Sequence, residues 1–246
     1  MSNEREFAMK LNEGKGFEVN DDEILWKYLS FEKFINMINF NKIYLRRLDM
    51  FEDKFEGRVP SFAICHLKDD ARRLMAKDIY EARRKLRFID CWTIFKHTES
   101  YAMWKVYSSS FGLAIETTAR QLIELLPEHA QLIKIKYFNF KDENGATMYD
   151  IPVMADPSLG EENIAIGRNF SAIKSLEYEY EKEVRVLLPH KSELEFFGIN
   201  IDMSKMINKI IISPYASKWF EELVIDLVKN RFNFNSVIVE KSFIKI

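Results

Sequence analysis

The period of the apolar positions changes several times along the chain, and each change marks an element. Ile24 to Leu29 is dominated by apolar and aromatic residues, as in a short strand. Ser30 follows in the N-cap position, with Lys33 where a capping box would place Glu, and Phe31, Phe34, Ile35 and Ile38 recur at helical spacing. Lys42 to Arg46 reads as a second strand. Residues 67–87 hold the clearest helix. Leu67, Ala71, Leu74, Met75, Ile79, Ala82 and Leu86 draw its apolar stripe, and Arg72, Arg73, Lys77, Arg83, Arg84, Lys85 and Arg87 occupy the opposite face.

Further strands are predicted over 88–95, Phe111 to Glu116 and Gln131 to Phe138, with a short helix over Ser100 to Val106. Glu183 to Leu188 alternates and ends at Pro189, as an edge strand tolerates, and Leu194 to Ile201 is its expected hairpin partner. Ile207 to Ile212 reads as an apolar strand, Trp219 to Arg231 as an amphipathic helix, and Ser236 to Glu240 as the strand that closes the sheet. Residues 1–23 read as a polar arm ahead of a single domain at 24–246. Residues 139–160, with Gly145, Pro152, Pro157 and Gly160, read as a long surface loop of the kind that forms lids or variable insertions. No regular βαβ rhythm is present. The expected fold is therefore α+β: a mixed or antiparallel twisted sheet with flanking helices.

Composition narrows the picture modestly. With 47% hydrophobic and 14% aromatic residues, the 246-residue chain can build one core. A net charge of −2 gives no global signature of nucleic-acid binding. No apolar run approaches the roughly 18 residues of a membrane span, and the N-terminus has no signal-peptide stretch, so a soluble, cytoplasmic protein without membrane contact is expected. Cys65 and Cys91 form no CxxC pair and read as buried reduced thiols. His66, His97, His129 and His190 form no HExxH motif and no two share a helical spacing, so no zinc site is expected. There is no Walker loop, GxGxxG or GxSxG, and nothing in the sequence sets an oligomeric state.

Four features carry candidate chemistry. Glu177, Glu179, Glu181 and Glu183 alternate with Tyr178, Tyr180 and Lys182, and a strand would put all four carboxylates on one face. Like charges that close raise each other's pKa, so the run calls for a cation, a function, or the solvent of an exposed acidic turn. Arg185 continues that face, in position to pair with Glu183. In Tyr101 to Gly112, Met103, Trp104 and Tyr107 fall at helical spacing, as core residues or as an aromatic wall for a ligand ring, and Ser108 to Ser110 add hydroxyls. Asp49, Glu52, Asp53 and Glu56 lie in an aromatic loop where they could hold a metal, bind an arginine or cap a helix. The basic face at 72–87 is either solvated or a contact for nucleic acid or an acidic protein.

A resemblance emerges when the segments are taken in order. Trp26-Lys27-Tyr28, Glu52-Asp53-Lys54-Phe55-Glu56, Cys91-Trp92, Met103-Trp104-Lys105-Val106-Tyr107 through Gly112, Tyr180-Glu181-Lys182-Glu183-Val184-Arg185 and Ile211-Ile212-Ser213-Pro214 together resemble the bacterial family labelled domain of unknown function 2971. Lys54 stands where that family has Pro, Val184 where it has an aromatic residue, and Ser213 where it has Gly. The family name carries no activity. Glu181-Lys182-Glu183-Val184, running on to Leu188-Pro189, is similar to the Glu-x-Glu-Val…Pro strand of ADP-ribosyltransferases. Leu25-Trp26-Lys27 is similar to their first-strand aromatic-Arg motif with Lys for Arg, and Ser108-Ser109-Ser110 to their Ser-x-Ser strand.

The second resemblance implies split, highly twisted antiparallel sheets and NAD as co-substrate. It implies that Glu183 holds a ribose hydroxyl and faces the oxocarbenium-like cation, while Glu181 orients or deprotonates the acceptor. Lys27 would contact the pyrophosphate, Trp104 or Tyr107 would flank a ring, and Tyr28, Ser108 and Arg185 complete the cofactor-binding set. The implied function is an NAD-dependent ADP-ribosyltransferase or NAD glycohydrolase, of the kind that serves as a bacterial toxin or phage-defence effector, acting on nucleic acid or protein. Two other classes stay open: a nucleic-acid-binding or metal-dependent nuclease effector, and a non-catalytic sensing module.

Overall fold

β1 (Ile24–Ser30) sends Leu25 and Leu29 to one side and Trp26 and Tyr28 to the other, and all four are buried. A strand covered on both faces belongs inside a sheet, and in the computed structural model β1 lies between two antiparallel neighbours. The structure describes residues 18–53, 55–58, 70–95, 98–108, 110–138 and 170–246. α1 (Phe31–Phe40) follows at once and buries Phe34, Met37 and Ile38. Ser30 stands at its N-cap, but the hydroxyl donates to the Glu32 carboxylate at 2.5 Å rather than capping a backbone N–H. Asn41 ends the helix in the left-handed region, which Asn tolerates. β2 (Lys42–Arg47) then returns toward the sheet.

α2 (Asp70–Arg84), β3 (Arg87–Ile94), α3 (Tyr101–Tyr107), β4 (Gly112–Thr118), α4 (Ala119–Leu125), β5 (Gln131–Lys134) and β6 (Lys136–Phe138) come next. After residue 170 the chain adds β7 (Ile173–Ser175), β8 (Glu183–Pro189), β9 (Phe196–Asn200), α5 (Met203–Met206), β10 (Lys209–Ile212), α6 (Lys218–Asp226) and β11 (Ile238–Lys241). Nine of these strands form one open, mixed but mostly antiparallel sheet. β6 and β7 pair parallel in a small second sheet.

The large sheet forks at β3. Along one edge, β1 pairs with its C-terminal end (Trp26 opposite Thr93), and β2 pairs with its N-terminal end (Arg46 opposite Ile89). Between these pairings Asp90, Cys91 and Trp92 have no strand partner on that edge. The other edge of β3 is paired from Arg87 to Thr93 by β8, which in turn carries β5. One arm of the fork continues through β4, β10 and β11, and the other through β9. The main core lies on one face, where α1, α4 and α6 bring Phe34, Leu122, Phe220 and Val224 against Leu25, Phe88, Trp92, Ile115, Val184 and Val186. On the opposite face α3 covers only the β1, β4 and β10 arm, through Met103 and Trp104.

Several sequence expectations are corrected. β8 is an inner strand: Glu183, Val184, Arg185, Val186, Leu187 and Leu188 are all buried. Its neighbours are β3 and β5, and the expected hairpin partner β9 pairs with β2. The 131–138 strand breaks at Ile135 into β5 and β6. α2 does not bury its aliphatic stripe, since Leu74 and Met75 are 63% and 65% exposed. Ala76 and Tyr80 pack instead on Leu48, Ile89 and Phe170, with the Tyr80 ring edge-on to Phe170 at 5.3 Å. Tyr80 lies about 100° round the helix from Ile79, so anchoring its ring turns the stripe outward and Arg84 inward. Arg87 belongs to β3 rather than to the helix. Cys65, His66, Lys54, His97, Ser109, the 139–160 loop and most of the N-terminal arm lie outside the described residues. No helix among the described residues is long and apolar enough to cross a membrane.

Candidate functional site

The acidic run is not a strand. Leu176–Glu181 winds as a 3₁₀-helix and stops at Lys182, which takes the left-handed conformation (φ 43°). Three residues per turn scatter the carboxylates, so Glu177 and Glu179 face solvent while Glu181 and Glu183 are buried. The turn is pinned to β3: the Thr93 hydroxyl donates to the Glu181 carbonyl, and the Ile94 N–H donates to the Lys182 carbonyl at 3.0 Å. Glu183 then opens β8 opposite Thr93, and two residues on Arg185 stands opposite Cys91 on the same face.

These carboxylates sit in a buried charge cluster. Arg185, fully buried, donates from Nε to Glu183 at 2.7 Å and from one terminal nitrogen to both Glu183 (3.1 Å) and Glu56. Its other terminal nitrogen donates to the Ser171 carbonyl at 2.7 Å. Lys174, from β7, donates to Glu181 at 2.5 Å and to Glu183 at 3.0 Å, and lies 3.7 Å from Glu56. The Tyr107 hydroxyl donates to the free oxygen of Glu181 at 2.5 Å, and the Glu183 N–H donates to the Tyr137 hydroxyl at 2.7 Å. Three carboxylates thus face two cations away from water. Burial is costly for each ion, and the mutual bonds are what make it tolerable.

The titration of the cluster follows from this imbalance. Burial pushes Glu183 up, but Arg185 and Lys174 outweigh it and hold the carboxyl well below its usual range. Burial also pushes Glu56 up, and there Arg185 and Lys174 do not fully compensate, so Glu56 stays above its ordinary value. Burial pulls Lys174 down, but Glu183 and Glu56 overcome that and hold its ammonium strongly charged. The Tyr107 phenol is raised by burial and by its bond to Glu181. The Cys91 thiol is raised by burial and by Glu183, which keeps it protonated.

Above the cluster opens a cleft of two joined lobes. The inner lobe, about 400 Å³, reaches Lys174, Glu181 and Glu183 between Trp26, Tyr107 and Tyr178. The outer lobe, about 590 Å³, lies over the fork, with Lys33 and Lys42 on its rim and Tyr44 and Phe196 in its walls. Lys27, Tyr28, Lys33, Arg46, Phe51, Cys91 and Tyr107 line both. The register puts Lys27 on the opposite face of the sheet from Glu183, and its ammonium enters the fork to bond Asp90 and, at 3.0 Å, the Cys91 carbonyl. The Trp92 indole donates to the other Asp90 oxygen at 2.8 Å. Lys27 therefore closes the unpaired edge of β3.

No protein-family model, no curated protein and no solved structure matches this chain.

Of the residues singled out from sequence, Glu181, Glu183, Tyr107, Tyr28 and Lys27 meet in the inner lobe. Trp104 does not line the cleft: it is fully buried against Tyr28 (rings 4.9 Å apart, edge-on), and its indole donates to Glu99 at 2.8 Å. Arg185 lies beneath the carboxylates and has no exposed surface, so it holds Glu183 and Glu56 rather than a ligand. Ser108 lies outside the lining of both lobes. Glu56 takes the arginine-binding option that its loop allowed. Gly57, at φ 67°, turns the chain there, and a Cβ on it would come within 2.4 Å of Leu48 Cδ2. Lys174 was not visible in the sequence as a site residue. Its only signal is indirect, since two buried carboxylates require a cation. Among the described residues no cluster of His, Cys, Asp and Glu is arranged to hold a metal ion. The oxygens of Glu56, Glu181 and Glu183 instead meet Lys174, Arg185 and Tyr107.

Proposed function

We propose that the chain is an NAD-consuming enzyme of the ADP-ribosyltransferase type, with its reaction centre at Glu181 and Glu183. The carrying observation is the convergence of these two carboxylates on the Lys174 ammonium at the base of an aromatic-walled, basic-rimmed cleft. The fork in the sheet supports the same reading, as does the Glu-x-Glu order, whereas Lys27 on the first strand is engaged by Asp90 and the Cys91 carbonyl. Each lobe falls within the roughly 300–1,000 Å³ of small-molecule sites. Aromatic walls suit the rings of a dinucleotide, and the rim cations suit its phosphates.

In this reaction the bond between the ribose C1′ and the nicotinamide nitrogen breaks. Nicotinamide leaves with the bonding electrons, so the pyridinium charge passes to an oxocarbenium-like ribosyl group. A buried carboxylate beside that carbon stabilises the developing cation. Glu183, kept ionised by Arg185 and Lys174, fills that role. An acceptor O–H or N–H then attacks C1′ and releases its proton to a base. Glu181, with one oxygen on Lys174 and the other on Tyr107, is placed to orient the acceptor and take the proton.

A second reading has one observation in its favour. Both oxygens of Glu183 already face cations, which weakens its field at a reacting carbon and suits a nucleotide sensor without chemistry. Thermal denaturation with and without NAD tests what the two readings share. A ligand bound only by the native state at 100 times its Kd stabilises by about 2.7 kcal/mol, a shift of a few degrees. No shift at millimolar NAD would remove both.

A further inference from the structure

On the outer arm of the fork, the wall of the outer lobe continues onto a largely exposed face of β2 and β9. Side chains alternate along β2 so that Lys42, Tyr44 and Arg46 share the face of Glu183 and Arg185, and their partners on β9 are Asn200, Gly198 and Phe196. Tyr44 is 39% and Phe196 48% exposed, although the other face of these strands is core. The Arg46 guanidinium lies 5.6 Å from the Phe196 ring centre. Gly198 stands opposite Tyr44, and the Tyr44 ring and the Lys42 stem lie alongside it, where a Cβ would meet both at ordinary contact distance. Lys33 approaches from α1 on the same lobe. Asp90, the carboxylate that lines the outer lobe, is engaged by Lys27, and Glu195 by Arg46 at 2.9 Å, whereas Lys33 and Lys42 join no ion pair among the described residues; Glu52 and Asp53 line the inner lobe and not the outer.

We infer that this face is a stacking platform for single-stranded nucleic acid, and that the strand it holds is the acceptor presented to the inner lobe. One exposed ring between two cations on β2, with a second ring beside it on β9, matches such a ligand, whose phosphates follow the charges while unpaired bases stack on the rings. An acidic protein would use the lysines and leave the rings idle. A duplex keeps its bases stacked on each other and offers only phosphate. The outer and inner lobes share Arg46 and Tyr107, so a base on the platform leads directly toward Glu181. The role as acceptor rests on the transferase reading, whereas the binding surface does not.

The test is fluorescence anisotropy of a labelled single-stranded DNA dodecamer of mixed sequence, and of its RNA counterpart, titrated with the full chain. The expected result is saturable binding of at least one strand, weakening steeply between about 50 and about 200 mM salt. Unlabelled single strand should compete and the matching duplex should not. Tyr44→Ala and Phe196→Ala should each weaken binding roughly tenfold, and Lys42→Gln should lower the salt slope by about one. Both rings are exposed, so the melting temperatures of these variants should stay near wild type, which separates lost contact from lost fold. Failure of wild type to bind either strand, equal binding of duplex, or affinity unchanged in both ring variants would overturn the proposal. None of these readouts uses NAD, so they fail independently of nicotinamide release.

Discussion

Arg185 donates to Glu183 at 2.7 Å while both are buried, so the strand that carries the candidate catalytic carboxylate also carries the cation that keeps it charged. The same guanidinium reaches Glu56, so its loss leaves three carboxylates in a dry site with Lys174 alone. Arg185→Met is expected to destabilise the fold by about 3–5 kcal/mol, the range for removing one partner of a buried pair. Urea denaturation at neutral pH measures it, and a loss below about 1 kcal/mol would mean that the cluster is far more hydrated than its geometry implies.

Stability should also respond to pH through Glu56. Its folded-state pKa is raised above the ordinary 4.5, so the native protein holds a proton that the unfolded chain has released. The stabilisation tied to that proton is complete below about 4.5 and is lost as pH rises through the raised value. Glu56→Gln keeps the neutral shape and removes the titration. Urea midpoints taken from pH 4.5 upward should fall with pH in wild type and flatten in the variant. Glu183 acts in the opposite sense. Its pKa is depressed, so its contribution is present above the ordinary 4.5 and disappears only as pH falls well below that.

Gly57 is the backbone device that delivers Glu56 to Arg185. Its φ of 67° and the 2.4 Å approach that a Cβ would make to Leu48 leave no comfortable position for a side chain. Gly57→Ala is expected to cost about 1–3 kcal/mol in urea denaturation. It should also weaken the pH dependence assigned to Glu56, because the displaced carboxylate regains solvent.

Tyr107 separates activity from stability. Its hydroxyl is bonded to Glu181 on the wall of the cleft, so Tyr107→Phe should lower stability by only about 1 kcal/mol. Nicotinamide release should nevertheless fall, by roughly tenfold and no more than in Glu181→Gln, since Glu181 is then held through Lys174 alone and its other oxygen shifts. Equal losses in the two measurements would make the bond purely structural.

Much of the sheet was legible because single strands declare themselves through apolar runs: β1, β2, β3, β4, β10 and β11 all fall within two residues or so of their expected positions. Partner choice was not legible. β8 ends in Pro189, which reads as an edge signal, yet six consecutive buried residues place it inside the sheet. In the same way, neighbouring segments in sequence suggested a β8–β9 hairpin where β2 competes successfully for β9. The acidic run misled because alternation is read as a strand, while a 3₁₀ turn that ends at left-handed Lys182 leaves Glu177 and Glu179 exposed and Glu181 and Glu183 buried. Glu183 and its pairing with Arg185 were legible from their spacing. Lys174 was not, because a lone lysine in a short apolar segment carries no local sign of the partners that folding brings to it.

Nicotinamide release from NAD, wild type beside Glu183→Gln and Glu181→Gln, bears most directly on the proposed centre. The expected result is release by wild type in proportion to enzyme, at least about 100-fold less by Glu183→Gln, and a smaller loss in Glu181→Gln when water replaces the acceptor. The glutamine variants should be folded, with cooperative melting. Release that persists unchanged in folded Glu183→Gln, or no release by wild type that binds NAD and single-stranded nucleic acid together, would contradict the assignment of catalysis to Glu183.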